Sequence, residues 1–405
     1  MALILRQMSG ARSQTKGMPV ISVSKRSAVE PFHAMDLLGA ATRRRQTGKP
    51  VISMAVGQPS HPAPQRALEA ARQALAHGRI GYTDALGLIE LRQGLSDYYS
   101  TRHGVTIDPG RILVTTGSSA GFNLAFLGLF DPGDVVAIAR PGYPAYRNIL
   151  NALGLRVLEV GVDAESHFTL TPESLEAAQR AAGCKLSGVL LASPANPTGT
   201  VTGRAQLKAL MDYCGTQDIT LISDEIYHGL TYSGDESSAL EIGDEVIVIN
   251  SFSKYYCMTG WRIGWMVVPD HLVRPLECLT QSLYISAPEL SQIAAIAALG
   301  ATDELDGYKA SCRANRDFLQ KRLQDLGMPL LSPMDGAFYA YADVSAFTND
   351  SMDFAYKMLA EIDVAATPGR DFDPVDGHRA MRFSYAGSRA DMVEATDRIA
   401  AWLAK

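Results

Sequence analysis

From Ile112 onward, apolar runs of strand length alternate with stretches long enough for a helix. The strand candidates are Ile112–Thr115, Val135–Ala139, Val157–Val160, Gly188–Ala192, Thr220–Ser223, Val246–Ile249 and Gly264–Val268. Between them fall Gly121–Leu129, Tyr146–Leu153, Thr171–Ala182 and Arg204–Gly215, all readable as helices. Alternating strands and helices predict an α/β fold with a mainly parallel sheet covered on both faces by helices. Sites on such sheets gather at the carboxyl ends of the strands. The polar clusters just after each strand candidate are therefore where chemistry is sought.

At 405 residues the chain exceeds one ordinary core, and one large plus one smaller domain is expected. The predicted division is an N-terminal arm over 1–30, an N-terminal part of the small domain over 31–62, a large domain over 63–300, and an interdomain helix with the C-terminal small domain over 301–405. The sheet would have seven strands, and the small α+β domain would be built from both chain ends. A net charge of −6 gives no electrostatic case for nucleic acid or an anionic membrane. The five cysteines are widely spaced and form no C-x-x-C pair, which predicts thiols of a reducing compartment. No apolar stretch reaches membrane-spanning length, and cytoplasmic placement is the expectation. The first acidic residue is Glu30, after Arg6, Arg12, Lys16, Lys25 and Arg26. That basic start is open to two readings, a transit peptide or an arm that docks on a partner subunit.

Each strand end supplies a different polar group. Thr116-Gly-Ser-Ser-Ala120 leads into an apolar helix, where free N–H groups and the positive dipole end can seat a phosphate; an ordinary Ser cap is the plain alternative. Pro141-Gly-Tyr-Pro-Ala-Tyr146 places two aromatics on a rigid turn, to stack on a planar ring or to pack in a core. Ser193-Pro-Ala-Asn-Pro-Thr-Gly199 encloses Asn196 between prolines, where a cis bond is plausible; an ordinary turn remains open. Asp224-Glu-Ile-Tyr227 offers a carboxylate and a phenol on one ledge, or simply an Asp cap. In Ser251-Phe-Ser-Lys254, followed by Arg262, two hydroxyls and a guanidinium can hold a phosphate while one amine meets a carbonyl. A strand end with solvated Lys and Arg is the alternative there. Together these groups match one molecule, pyridoxal 5'-phosphate.

The set resembles the class I/II aminotransferases, fold type I pyridoxal-phosphate enzymes, from about Ser27 to Lys405. Ser251 through Gly264 is close to the family signature Ser-x-Ser-Lys-x-x-x-x-x-Gly-x-Arg-x-Gly, with Cys257 where a smaller residue is more usual. The resemblance implies that Lys254 is the Schiff-base lysine and proton shuttle. It implies Asp224 at the ring nitrogen, Asn196 and Tyr227 at the phenolic oxygen, and Tyr143 stacked on the ring. Ser118, Ser119, Ser251, Ser253 and Arg262 would hold the phosphate. Met381-Arg-Phe-Ser384 matches the near-terminal arginine motif, making Arg382 the clamp for the substrate carboxylate, with Asn196 and a backbone group of Gly57 beside it. In Gly81-Tyr-Thr-Asp-Ala-Leu-Gly87, Tyr82 would reach a phosphate across a homodimer interface.

A Lys that serves distal carboxylates in one aspartate-using branch is replaced here by Ser118. Phe32-His-Ala-Met35 and Tyr339 fall where the resemblance places the side-chain pocket, favouring neutral, aromatic or sulfur-containing amino acids over acidic ones. Two other functions fit the same cofactor residues: a carbon–sulfur β-lyase, and a cofactor-sensing regulatory module. The latter usually carries a DNA-binding domain before this fold, and fewer than about 30 residues precede it here.

Overall fold

The computed structural model describes residues 21–405, so the basic stretch before Ile21 lies outside the described residues; 21–30 are exposed. Among the described residues, twelve strands form three sheets. In chain order they are β1 (Ile52–Ser53), β2 (Ile112–Thr115), β3 (Val135–Arg140), β4 (Arg156–Gly161), β5 (Gly188–Ala192) and β6 (Thr220–Asp224). There follow β7 (Ile247–Ser251), β8 (Gly264–Val267), β9 (Tyr339–Asp343), β10 (Val364–Ala365), β11 (Thr367–Pro368) and β12 (Ala380–Ser384).

The large sheet has seven strands in the order β2-β8-β7-β6-β5-β3-β4. β4, β3, β5, β6 and β7 run parallel, whereas β8 is antiparallel to both neighbours. Side chains alternate between its two faces. Val114, Val189, Leu191, Leu221 and Val248 enter one core, while Leu113, Leu190, Ile222 and Ile249 enter the other. This double burial is why the strands read as uninterrupted apolar runs.

Several helices begin earlier than their apolar pattern. The helix after β2 spans Ser118–Leu129, three residues longer than expected, because Gly117 makes the turn alone at φ +74°. A side chain is strained at that φ, and a Cβ there would lie 2.4 Å from Arg262 Nη2. The helix Pro144–Leu153 starts with proline at its first position, where the missing N–H costs nothing.

Both chain ends meet. β1 pairs in parallel with β10, and β11-β12-β9 form an antiparallel sheet. The long helix Thr302–Asp325 buries Leu305, Tyr308, Cys312, Leu319 and Leu323, a helical stripe. After β1, residues 54–57 run beside β12: Ser384 N–H donates to Met54 O (2.7 Å) and Arg382 Nη2 to Ala55 O (2.6 Å). That crossing brings the chain ends to the carboxyl edge of the large sheet.

Candidate active site

A cavity of about 330 Å³ opens at that edge. The sheet side contributes Ser118, Ser119, Tyr143, Asn196, Asp224, Tyr227, Ser253, Lys254 and Arg262; the chain ends contribute Phe32, Gly57, Tyr339 and Arg382. Of the fourteen residues singled out in the sequence, two are not on this lining. Ser251 is buried one layer behind Ser253, with its Oγ 2.9 Å from Ser253 Oγ and 3.0 Å from Ile263 O. Tyr82 stands on the surface, 83% exposed.

One end of the cavity is positive. Ser118 and Ser119 open the helix Ser118–Leu129, whose first N–H groups have no helical acceptor. The Arg262 guanidinium lies against bare Gly117, held by one hydrogen bond from Nη1 to Thr259 O (3.0 Å). Arg262 itself has φ +52°, uncommon for a residue with a side chain. Hydroxyls, helix N–H groups and a guanidinium converge on one anion-sized space.

Deeper in, Asp224 closes β6. It is 2% exposed, and burial pushes its carboxyl up to about 6. The Tyr146 hydroxyl, the Ile226 N–H and the charge of Lys254 pull the other way. Tyr146 donates to Oδ2 and Ile226 N–H to Oδ1 (3.0 Å). Neither carries a positive charge, so the carboxylate faces the cavity without a bonded cation. Lys254 lies between these ends and donates to Gly57 O (2.7 Å). Desolvation, then the nearby Arg382, lowers its amine to about 8 against the pull of Asp224.

Arg382 faces the cavity from β12. Its Nη1 donates to Asn196 Oδ1 (2.8 Å) and its Nη2 to Ala55 O and Thr367 Oγ1 (2.6 and 3.2 Å). Its ring plates are Tyr339 and Phe372, centred 4.2 and 4.6 Å from the guanidinium carbon. Its Nε is buried without a partner. A fixed guanidinium with an unused N–H suits a planar carboxylate. Tyr339 therefore belongs to this clamp: its hydroxyl is 2.7 Å from Tyr227 Oη. Gly57 is needed for close approach, since a Cβ there would lie 1.9 Å from Tyr339 Oη.

The arrangement fits pyridoxal phosphate. It provides an anion seat, an aromatic wall at Tyr143, a buried carboxylate without a cation and an amine of lowered basicity on one lining. Both Ser193–Pro194 and Asn196–Pro197 are cis. Tyr146 was legible only as one of two aromatics on a turn, not as the donor to Asp224, 78 residues away; Phe372 and Thr367, which reach the site through Arg382, gave no signal. Another cluster, His103, His228 and Glu236, brings metal-type atoms within 4.8 Å of one another. Glu236 has nothing left to give an ion. Its Oε1 accepts from Arg102 Nε and Nη2, and its Oε2 from Gly229 N–H and the Thr231 hydroxyl, which uses all four lone-pair positions.

The family described as aminotransferase class I and II matches residues 49–399. A valine–pyruvate aminotransferase of Mycobacterium tuberculosis is 47% identical over 385 residues, covering 94% of this chain and 98% of that protein. A (5-formylfuran-3-yl)methyl phosphate transaminase of Methanocaldococcus jannaschii is 35% identical, covering 93% and 98%. Among solved structures, an aminotransferase from Mycobacterium tuberculosis superposes with TM-score 0.92 at 46% identity, covering 95% of this chain and all of that one. Thermus thermophilus aspartate aminotransferase with maleate gives 0.87 at 31%, covering 94% and 100%. The chain belongs to the class I and II aminotransferases and is a pyridoxal-phosphate-dependent transaminase.

Proposed function

We propose that this aminotransferase takes a neutral amino acid with an apolar side chain, of which valine is one, and passes its amino group to a small 2-oxo acid such as pyruvate. The observation that carries this is one apolar stretch of the cavity lining. Phe32 just before the helix His33–Gln46, Met35 and Leu38 within it, and Ile149 present hydrocarbon there. Among the described residues, the cations lining the cavity are Lys254, Arg262 and Arg382, and none of them belongs to that wall. The mycobacterial relative, a valine–pyruvate aminotransferase, agrees with this choice.

When bound, pyridoxal phosphate supplies the carbonyl that receives the amino group and a conjugated ring that takes up electrons. Arg382 would hold the α-carboxylate and so fix which bond at Cα faces the ring. Lys254, with an amine near pKa 8, holds and moves the Cα proton as general base and then acid. Asp224 keeps a proton at the ring nitrogen. Asn196 and Tyr227 stabilise negative charge at the phenolic oxygen, and Tyr143 covers the ring face. Ser118, Ser119, Ser253 and Arg262 retain the phosphate, with Ser251 supporting Ser253 from behind.

We further propose a homodimer in which Tyr82 reaches the phosphate seat of the partner. Supporting it, Ile80, Tyr82, Leu283 and Ile285 are all exposed, and their segments meet where Thr83 N–H donates to Ser286 Oγ (3.3 Å). The domain division at residues 30, 62 and 300 is kept as part of this reading, supported by the β1–β10 pairing. No described helix is long and apolar enough to cross a membrane, and cytoplasmic placement stays a proposal.

The experiment is a half-reaction screen of the holoenzyme against the common amino acids, read by loss of the absorbance of lysine-bound cofactor. Valine and similar residues should react fastest and aspartate poorly. Equal rates for aspartate and valine would sink the substrate assignment.

A further inference from the structure

The apolar wall depends on one carboxylate from the far end of the chain. The helix His33–Gln46 begins after Phe32, which provides no side-chain cap. Its first N–H groups are instead taken by Asp371: His33 N–H donates to Oδ1 and Ala34 N–H to Oδ2, both at 2.9 Å. The two partners lie 338 and 337 residues from it in sequence. Asp371 is itself 2% exposed, and burial raises its pKa while those two N–H groups pull against the rise. A carboxylate at this position both satisfies orphan donors and complements the helix dipole.

What this cap holds is the pocket wall. Phe32, Ala34, Met35 and Leu38 line the cavity, and Phe32 meets the Tyr143 ring edge-on, with centroids 5.7 Å apart. The turn carrying the cap is stiff. A Cβ on Gly377 would lie 2.3 Å from Gly369 O, so Gly369–Asp371 is locked against 377–379 by bare backbone. Arg147 Nη2 also donates to Asp371 O (3.4 Å).

We propose that Asp371 is a positioning residue that sets side-chain selectivity, by clamping the start of the first helix so that Phe32–Leu38 stand at a fixed distance from the substrate's side chain. It rests on the apolar-pocket reading given above. Losing the clamp costs contacts that only a side chain beyond Cβ can make. Alanine, which reaches little of the wall, is the internal control.

The test measures kcat/KM for valine and for alanine with three holoenzyme variants. Asp371→Asn keeps the shape but can accept only one of the two N–H groups. His33→Pro deletes the other side of the same bond. Proline is at home at the first helical position, and Phe32 before it is already extended. His33→Ala keeps the N–H and controls for the imidazole. On the scale of a lost helix cap, Asp371→Asn and His33→Pro should lower valine relative to alanine by about fivefold or more, with the bound-cofactor absorbance retained. His33→Ala should leave the ratio unchanged. If valine and alanine fall by the same factor, or neither falls, Asp371 is merely structural and the proposal fails. Should Asp371→Asn not fold, His33→Pro alone decides. A wild-type enzyme that shows no preference for valine over aspartate removes the pocket reading and this proposal with it; a wild type that does, with an unchanged ratio in the variants, removes only this one.

Discussion

The cofactor end and the side-chain end of one cavity are built in opposite ways. At the cofactor end each group hangs directly off a strand or helix terminus of the large sheet: Ser118 after β2, Asp224 on β6, Lys254 after β7. Their positions follow from the sheet's register, in which Asp224 stands opposite Ala192 and Ile249. At the side-chain end the wall is a helix start with no cap of its own, fastened by Asp371 from the other chain end. The first end is fixed by a rigid scaffold suited to chemistry that does not vary among substrates. The second begins at a helix start held by a carboxylate that belongs to no strand of that scaffold.

The strongest test of the scaffolded end is Lys254→Ala. Removing the amine deletes both the covalent anchor and the proton carrier, so turnover should fall by about four orders of magnitude or more for every amino acid. The lysine-bound absorbance should vanish with it. A variant that kept that absorbance would show that another residue binds the cofactor. Next comes Asp224→Ala, which should retain cofactor through the phosphate seat yet slow Cα proton removal by about 10²–10³-fold, the scale of one preorganised electrostatic contact. An unchanged rate would remove Asp224 from the chemistry.

The depressed basicity of Lys254 gives a pH signature. With a pKa of about 8 the amine is mostly protonated at pH 6, so capture of pyridoxal phosphate by cofactor-free protein should rise about tenfold per pH unit and level off near 8. The stability effect of this group has a definite sign. Between about 8 and its ordinary 10.5 the unfolded chain binds a proton that the folded chain has released, so cofactor-free stability rises with pH across that window. Arg382 is the largest charged contributor to the depression, and Arg382→Ala should shift the levelling point upward. A rate that kept rising to pH 10 in the wild type would contradict the buried, Arg-flanked amine.

The two ends also differed in how well the sequence could be read. Strand-end clusters sit next to the apolar runs that announce the strands, so Ser118, Asn196, Asp224, Lys254 and Arg262 were legible from local spacing and resemblance. Ser251 was legible as a hydroxyl near Lys254 but not as one facing backward, because the Ile263 carbonyl that occupies it comes from the returning strand. Tyr146 looked like half of an aromatic pair. Its hydroxyl on Asp224 spans 78 residues and leaves no spacing signal. Asp371 was invisible for the same reason, and nothing near it in sequence hints that it caps a helix more than 300 residues earlier. Contacts between distant segments carry function without leaving a local pattern.

The smallest effect separates two neighbours on one turn. Phe372 follows Asp371 directly, yet its ring lies under the Arg382 guanidinium, 4.6 Å from its carbon. Phe372→Leu should keep the packing volume roughly while losing one of two aromatic plates, with Tyr339 still in place, at a cost of about 1 kcal/mol. That corresponds to about a fivefold loss of kcat/KM, appearing mainly in KM because the carboxylate is bound in both ground and transition states. With Arg382 holding the substrate carboxylate as proposed, a group every amino acid shares, valine and alanine should lose equally. The Asp371 variants should instead separate the two substrates. A Phe372→Leu enzyme that discriminated against valine would mean that this turn acts as one unit, and that the carboxylate and side-chain ends are not independently fastened.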